Sequence, residues 1–99
     1  MAKYKIRFTG SALEDLAWFK KNEQNAIRDG IDENLGYEPT VETHNRKKLR
    51  PNETAEWELK IGKFRVFYDV DEAVPLVVID AMAEKRRDLL FFQGEEGEI

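Results

Sequence analysis

Residues 57–70 read Trp57-Glu-Leu-Lys-Ile-Gly-Lys-Phe-Arg-Val-Phe-Tyr-Asp-Val70, and this stretch decides the fold. Trp57, Leu59 and Ile61 alternate with Glu58 and Lys60. Gly62-Lys63 supplies a turn, after which Phe64, Val66, Tyr68 and Val70 alternate with Arg65, Phe67 and Asp69. A period of two on both sides of a tight turn is the signature of a hairpin with one buried face. Asp71-Glu-Ala makes the next turn, and Leu76 to Ile79 is an unbroken apolar run, as in a central strand covered on both faces. Three strands in sequence read as an antiparallel meander. Glu84 to Phe92 fits either a short helix or an edge strand.

Upstream, Tyr4, Ile6 and Phe8 alternate with Lys3, Lys5 and Arg7, which predicts an N-terminal strand. Ser11-Ala-Leu-Glu14 has the spacing of a capping box at a helix start. Leu13, Leu16 and Ala17 follow at helical spacing, and Lys21-Asn22 breaks the pattern. Ile27, Ile31 and Leu35 then recur every fourth residue, with Gly36 placed as a C-terminal cap and Gly30 needing a packing partner. The pair reads as a helical hairpin. Residues 37–54, bounded by Pro39 and Pro51, form a loop long enough to suggest a function. The expected fold is α+β: an N-terminal strand, a helical hairpin and a three-stranded antiparallel meander. Both helices cover one face of the sheet. Lys3, Lys5, Arg7, Lys60 and Arg65 should then lie on the other, open face.

Ninety-nine residues suit one domain, expected over residues 1–94, with 95–99 as an acidic C-terminal tail. The absence of cysteine excludes disulfides, thiolate metal sites and a cysteine nucleophile, and a single histidine, His44, excludes a His-rich metal site. No apolar run approaches the ~20 residues of a membrane span, and Met-Ala-Lys-Tyr-Lys opens no apolar leader, so a cytoplasmic location without a membrane is expected. Net charge is −4, yet residues 1–10 and 39–50 each carry +3. Arg46, Lys47, Lys48 and Arg50 form the densest cluster. A local basic surface can hold an anion on an acidic protein.

Lys48-Leu-Arg-Pro, the aromatic-initiated strand at Trp57, the glycine turn, Phe64-Arg-Val-Phe-Tyr and the basic segment Glu84-Lys-Arg-Arg87 occur here in order. Together with the Tyr-x-Ile-x-Phe strand and Ser-Ala-Leu-Glu-Asp-Leu, they resemble the RelE/ParE superfamily, the toxins of type II toxin–antitoxin systems. The resemblance spans roughly residues 3–92. It implies the RelE-like fold, a cognate antitoxin as partner and a toxin–antitoxin hetero-oligomer. For the RelE branch it implies a ribosome-dependent endoribonuclease (an mRNA interferase) that cuts messenger RNA without metal or cofactor and so inhibits translation. There a ribose 2′-hydroxyl attacks the adjacent phosphate, and lysines and arginines stabilise the charge.

On that resemblance the catalytic candidates are Lys60, Arg65 and Arg86, with Arg87 as an RNA-binding candidate. Four bases within five positions, Arg46, Lys47, Lys48 and Arg50, are RNA-binding candidates on charge, though a solvated loop would carry them too. Glu58 stands where the family pattern has a lysine, and Leu90 or Phe91 where it has a tyrosine. Two alternatives therefore stand beside the nuclease: a ParE-like inhibitor of DNA gyrase, which is not an enzyme, and an inactive member that only binds. Each candidate also has a plainer role. Arg65 can pair with Glu58 or Asp69, Lys60 can be a surface lysine, and Trp57 and Tyr68 belong to the core by parity. The acidic end can either solubilise the chain or shield its basic face.

Overall fold

The computed structural model describes residues 3–99; Met1 and Ala2, inside the expected domain, lie outside them. In order the elements are β1 (Lys5–Phe8), α1 (Gly10–Trp18), α2 (Lys21–Leu35), β2 (Arg46–Lys48), β3 (Trp57–Ile61), β4 (Phe64–Asp71), β5 (Leu76–Arg86), β6 (Leu89–Phe92) and β7 (Glu95–Gly97). The architecture is α+β, with two helices packed on one sheet. The expected meander is β3-β4-β5, extended at both ends to the order β2-β3-β4-β5-β6-β7, while β1 runs parallel to β5.

Helix-facing residues make the main core. Ala12, Leu16, Ile27, Ile31 and Leu35 pack on Leu59, Val66, Tyr68, Val77 and Ile79, all at most 2% exposed. Trp57 and Tyr68 stack within it, and the Tyr68 hydroxyl donates to the Pro39 carbonyl at 2.7 Å. Burial holds that phenol protonated well above its ordinary range. Gly30 meets its expected partner. A Cβ at this position would stand 2.6 Å from the Ile61 side chain, so glycine lets α2 settle directly on β3.

Several local expectations need correcting. Thr9, not Ser11, caps α1: its hydroxyl accepts the Ala12 N–H at 3.1 Å, because Thr9 is the last residue with extended dihedrals. Gly36 is the C-cap of α2 as expected, but it stays right-handed at φ −69°. Arg46 adds a side-chain partner there, donating to the Asn34 carbonyl at 2.6 Å. The long loop contains β2, whose Arg46-Lys-Lys sequence carries no alternation. Lys85 and Arg86 extend β5, and Leu89–Phe92 is a strand rather than a helix. Finally, Glu95–Gly97 is a seventh strand on β6 rather than a free tail, since Gln93 and Gly94, at φ 51° and 82°, turn the chain back.

Gly30→Ala separates packing from propensity. Alanine favours a helix over glycine by about 1 kcal/mol, but the clash with Ile61 should outweigh this and give a net loss of about 1–3 kcal/mol in urea unfolding. Pairing it with Ile61→Ala should cost less than the sum of the two changes. A stabilised single variant would show that the close approach is absent.

Candidate nucleic-acid interface

Strand register places the charged residues of the helix-averted face. Lys47 stands opposite Glu58, and Glu58 opposite Phe67. Lys60 stands opposite Arg65, and Arg65 opposite Ala83. The face is not open as expected. Phe67 and Ala83 are fully buried, Ala55 is nearly so, and Leu49, Leu90, Phe92 and Ile99 pack around them as a second apolar cluster. The sheet curls on itself, since Ile99 at one end and Leu49 beside the β2 edge reach the same cluster. The floor is therefore apolar and the charges are driven to its margin.

Three basic segments meet at the β3–β4 turn. The Lys85 N–H donates to the Lys63 carbonyl at 2.7 Å, bringing residues 85–87 beside the turn, and the Lys60 N–H donates to the Asn45 carbonyl at 2.8 Å, bringing in the start of β2. Lys60, Lys85 and Arg87 are exposed there, with Lys47 also exposed farther along the β2 edge, and among the described residues none of them makes an ion pair. Multiple exposed cations on one margin are what a phosphate backbone binds. Lys48 and Arg50 are also exposed, but Lys48 has the opposite parity to Lys47.

Arg65 departs from its expected exposure. It is 8% exposed, and its Nη1 donates to the carbonyls of Gly62 and Phe64 at 2.8 and 2.9 Å. Its Nε lies 4.0 Å from Glu58 Oε1. Glu58 thus faces the Arg65 guanidinium with an opposite charge, a role that the expected lysine could not fill. Arg46 is likewise engaged, donating from Nε to the Val41 carbonyl as well as to Asn34. Arg86 has the parity opposite to Lys85; it pairs with Glu84 at 2.9 Å and lies over the Phe91 ring at 4.7 Å. Lys60 and Arg65 are therefore brought together, while Arg86 is held apart. Leu90 belongs to the apolar cluster, so neither it nor Phe91 supplies a proton-exchanging group.

One charged group escaped the sequence reading. Asp80 is half-buried, its Oδ2 has no hydrogen-bond partner, and Asp69 of β4 stands beside it. Burial first, then the Asp69 carboxylate, push Asp80 up to about 7, against a weaker pull from Arg7. Asp69 is further occupied by the Glu56 N–H at 2.9 Å. The available signal was a carboxylate directly following the buried run Leu76–Ile79.

No family model and no curated protein matches the sequence. Solved structures do match. One chain of the toxin–antitoxin complex RelBE2 from Mycobacterium tuberculosis superposes with a TM-score of 0.75 at 26% identity, covering 86% of this chain and 94% of that one. The archaeal RelE–RelB complex from Pyrococcus horikoshii OT3 gives 0.68 at 20% identity, over 86% and 98% of the two chains.

The Asp69–Asp80 pair predicts a pH dependence with a definite sign. Asp80 holds its proton in the fold to about pH 7 but releases it near 4 when unfolded, so its share of stability is lost as pH rises between those values. Asp80→Asn should match the parent near pH 4 and exceed it at pH 8. Allowing for solvent screening of a half-buried group, the gain is about 1 kcal/mol, or ~4–8 °C in Tm. Parallel Tm curves from pH 4 to 8 would exclude the pair.

Proposed function

We propose, from the fold shared with chains of RelE–RelB toxin–antitoxin complexes, that the chain is a RelE/ParE-type toxin of a type II toxin–antitoxin pair and that its target is messenger RNA on the ribosome. The observation that carries the RNA reading is the convergence of Lys47, Lys60, Lys85 and Arg87 on one margin of the sheet. In the proposed reaction a ribose 2′-oxygen attacks the neighbouring phosphorus and loses its proton. The P–O5′ bond breaks, a 2′,3′-cyclic phosphate remains, and the departing 5′-oxygen takes up a proton. Lys60 is the exposed cation directly opposite Arg65, and it is assigned to the developing phosphate charge. Arg65 adds a fixed positive charge beneath it. Lys47, Lys85 and Arg87 position the strand. A cognate antitoxin would neutralise the toxin by covering this margin, as the neighbours are known from toxin–antitoxin complexes.

A second reading, gyrase inhibition without cleavage, is favoured by one observation: Arg65 is buried and neither Leu90 nor Phe91 can exchange a proton. Inducing the protein in cells, mapping RNA 5′ ends and assaying gyrase supercoiling in parallel separates the two. Ribosome-phased cleavage is expected. Inhibited supercoiling with intact messages would replace the nuclease by the gyrase reading.

Lys60→Ala should lower cleavage by about 10²–10³ without unfolding the domain, because Lys60 is exposed. Lys60→Arg should restore much of the activity if the role is electrostatic and little if proton transfer matters, since arginine hardly deprotonates. Undiminished cleavage by the alanine variant would remove Lys60 from the site.

A further inference from the structure

Glu95–Ile99 carries three glutamates, but it is folded back over the molecule. Leu90 pairs with Gly97 and Phe92 with Glu95 in the β6–β7 ladder. At Gly97 a Cβ would stand 3.0 Å from the Phe92 ring, so the strand lies close upon the second apolar cluster. Ile99 then packs into that cluster with Phe67, Phe92 and Leu49. It also shares the wall of a depression of about 490 Å³ with Lys47, Lys48, Leu49 and Arg50. Within 4.0 Å, no ion pair among the described residues ties this segment to those bases. The attachment therefore rests on one apolar side chain at the chain end and a three-residue strand.

We infer that Glu95–Ile99 is an intramolecular cover: it docks Ile99 against Leu49 in the depression lined by Lys47, Lys48 and Arg50, and must be displaced before RNA can lie there. This rests on the RNA reading above and adds the regulation of that surface at its Lys47 end. Ile99, wedged against Leu49, occupies space that a nucleotide would need. A binding surface that is open for only a fraction of the time binds more weakly by that fraction; a cover closed nine-tenths of the time weakens apparent affinity about tenfold.

The test compares the full chain, a chain ending at Gly97, Ile99→Ser and Glu98→Gln. Each is titrated with a fluorescein-labelled single-stranded RNA 12-mer and, without RNA, followed by amide hydrogen exchange over Leu49–Glu56. The Leu49 N–H donates to the Glu56 carbonyl at 2.8 Å beneath the cover. Glu98→Gln makes the same change in net charge as the truncation but keeps Ile99. Expected are about tenfold tighter RNA binding and faster exchange over Leu49–Glu56 for the truncated chain and Ile99→Ser, with Glu98→Gln near the parent. Equal affinity and exchange in all four overturns the cover. So does Glu98→Gln matching the truncation, which would make the effect one of charge alone. Faster exchange with no RNA binding by any chain keeps the cover and overturns the RNA reading. Ile99→Ser, which leaves β7 intact, preserves the test if the truncated chain loses its melting transition.

Discussion

The eleven residues Leu76–Arg86 of β5 pair with β4 along one edge from Leu76 to Glu84 and divide the other edge between two partners. Residues 76–79 take β1 in parallel, and residues 84–86 take β6 in antiparallel. That leaves residues 80–83 without a strand neighbour on that edge, and unpaired backbone in a buried position is costly. Helix α1 closes the gap. The Thr9 N–H donates to the Ile79 carbonyl, the Thr9 hydroxyl to the Asp80 carbonyl, and Asp15 accepts the Met82 N–H at 3.0 Å. Asp15 also takes the Gln93 amide at 2.8 Å. A single buried carboxylate thus fixes α1 to the middle of β5 and to the turn that sends β7 back.

The same junction shapes the averted face. The β4–β5 register slips between Phe67 and Tyr68, and a bulge of this kind sharpens local twist. Phe67 and Tyr68 are both fully buried, one in each apolar cluster. A two-sided strand at the centre makes the averted face a second core rather than a solvated surface. Polar groups caught in it meet different fates: Arg65 is held by two carbonyls and Glu58, whereas Asp80 Oδ2 has no hydrogen-bond partner and burial pushes the carboxyl toward its neutral form. Lys60 stands directly opposite a like charge yet reaches water at the margin.

This division explains what could be read from the residues. The strands β1, β3 and β4, the helical pair and the apolar start of β5 were legible because alternation and four-residue spacing report which side of an element is buried. β2 was not, because Arg46-Lys-Lys is a short polar edge whose pairing is imposed by β3. β7 was hidden for the same reason, as Glu95-Glu-Gly resembles a solubilising end. For Arg65, parity gave the correct face, but parity does not report burial once a second cluster covers that face. The Asp69–Asp80 contact joins residues eleven apart through the slipped register, which no local pattern encodes. Lys60 and Arg87 were named from the family pattern and Lys47 from charge density, and they lie on one margin with Lys85; Arg86 was named too, yet points away.

Burial of Arg65 also bears on how cationic catalysis could operate in this fold. A guanidinium fixed by carbonyls loses little orientational freedom when a phosphate arrives, which is the preorganisation that electrostatic stabilisation requires. At 8% exposure, however, it is withheld from direct contact with a phosphate, and on the proposed reading Lys60 makes that contact. Direct contact requires the apolar cluster to open, and that cluster is closed at its rim by Leu90, Phe92 and Ile99. The part of the chain that limits access to the fixed charge is thus its C-terminal hairpin. A partner that stabilised or displaced the hairpin would change the chemistry available at the margin without touching Lys60 or Arg65. On the proposed reading, the free toxin and the toxin engaged with RNA then differ chiefly in the position of residues 95–99.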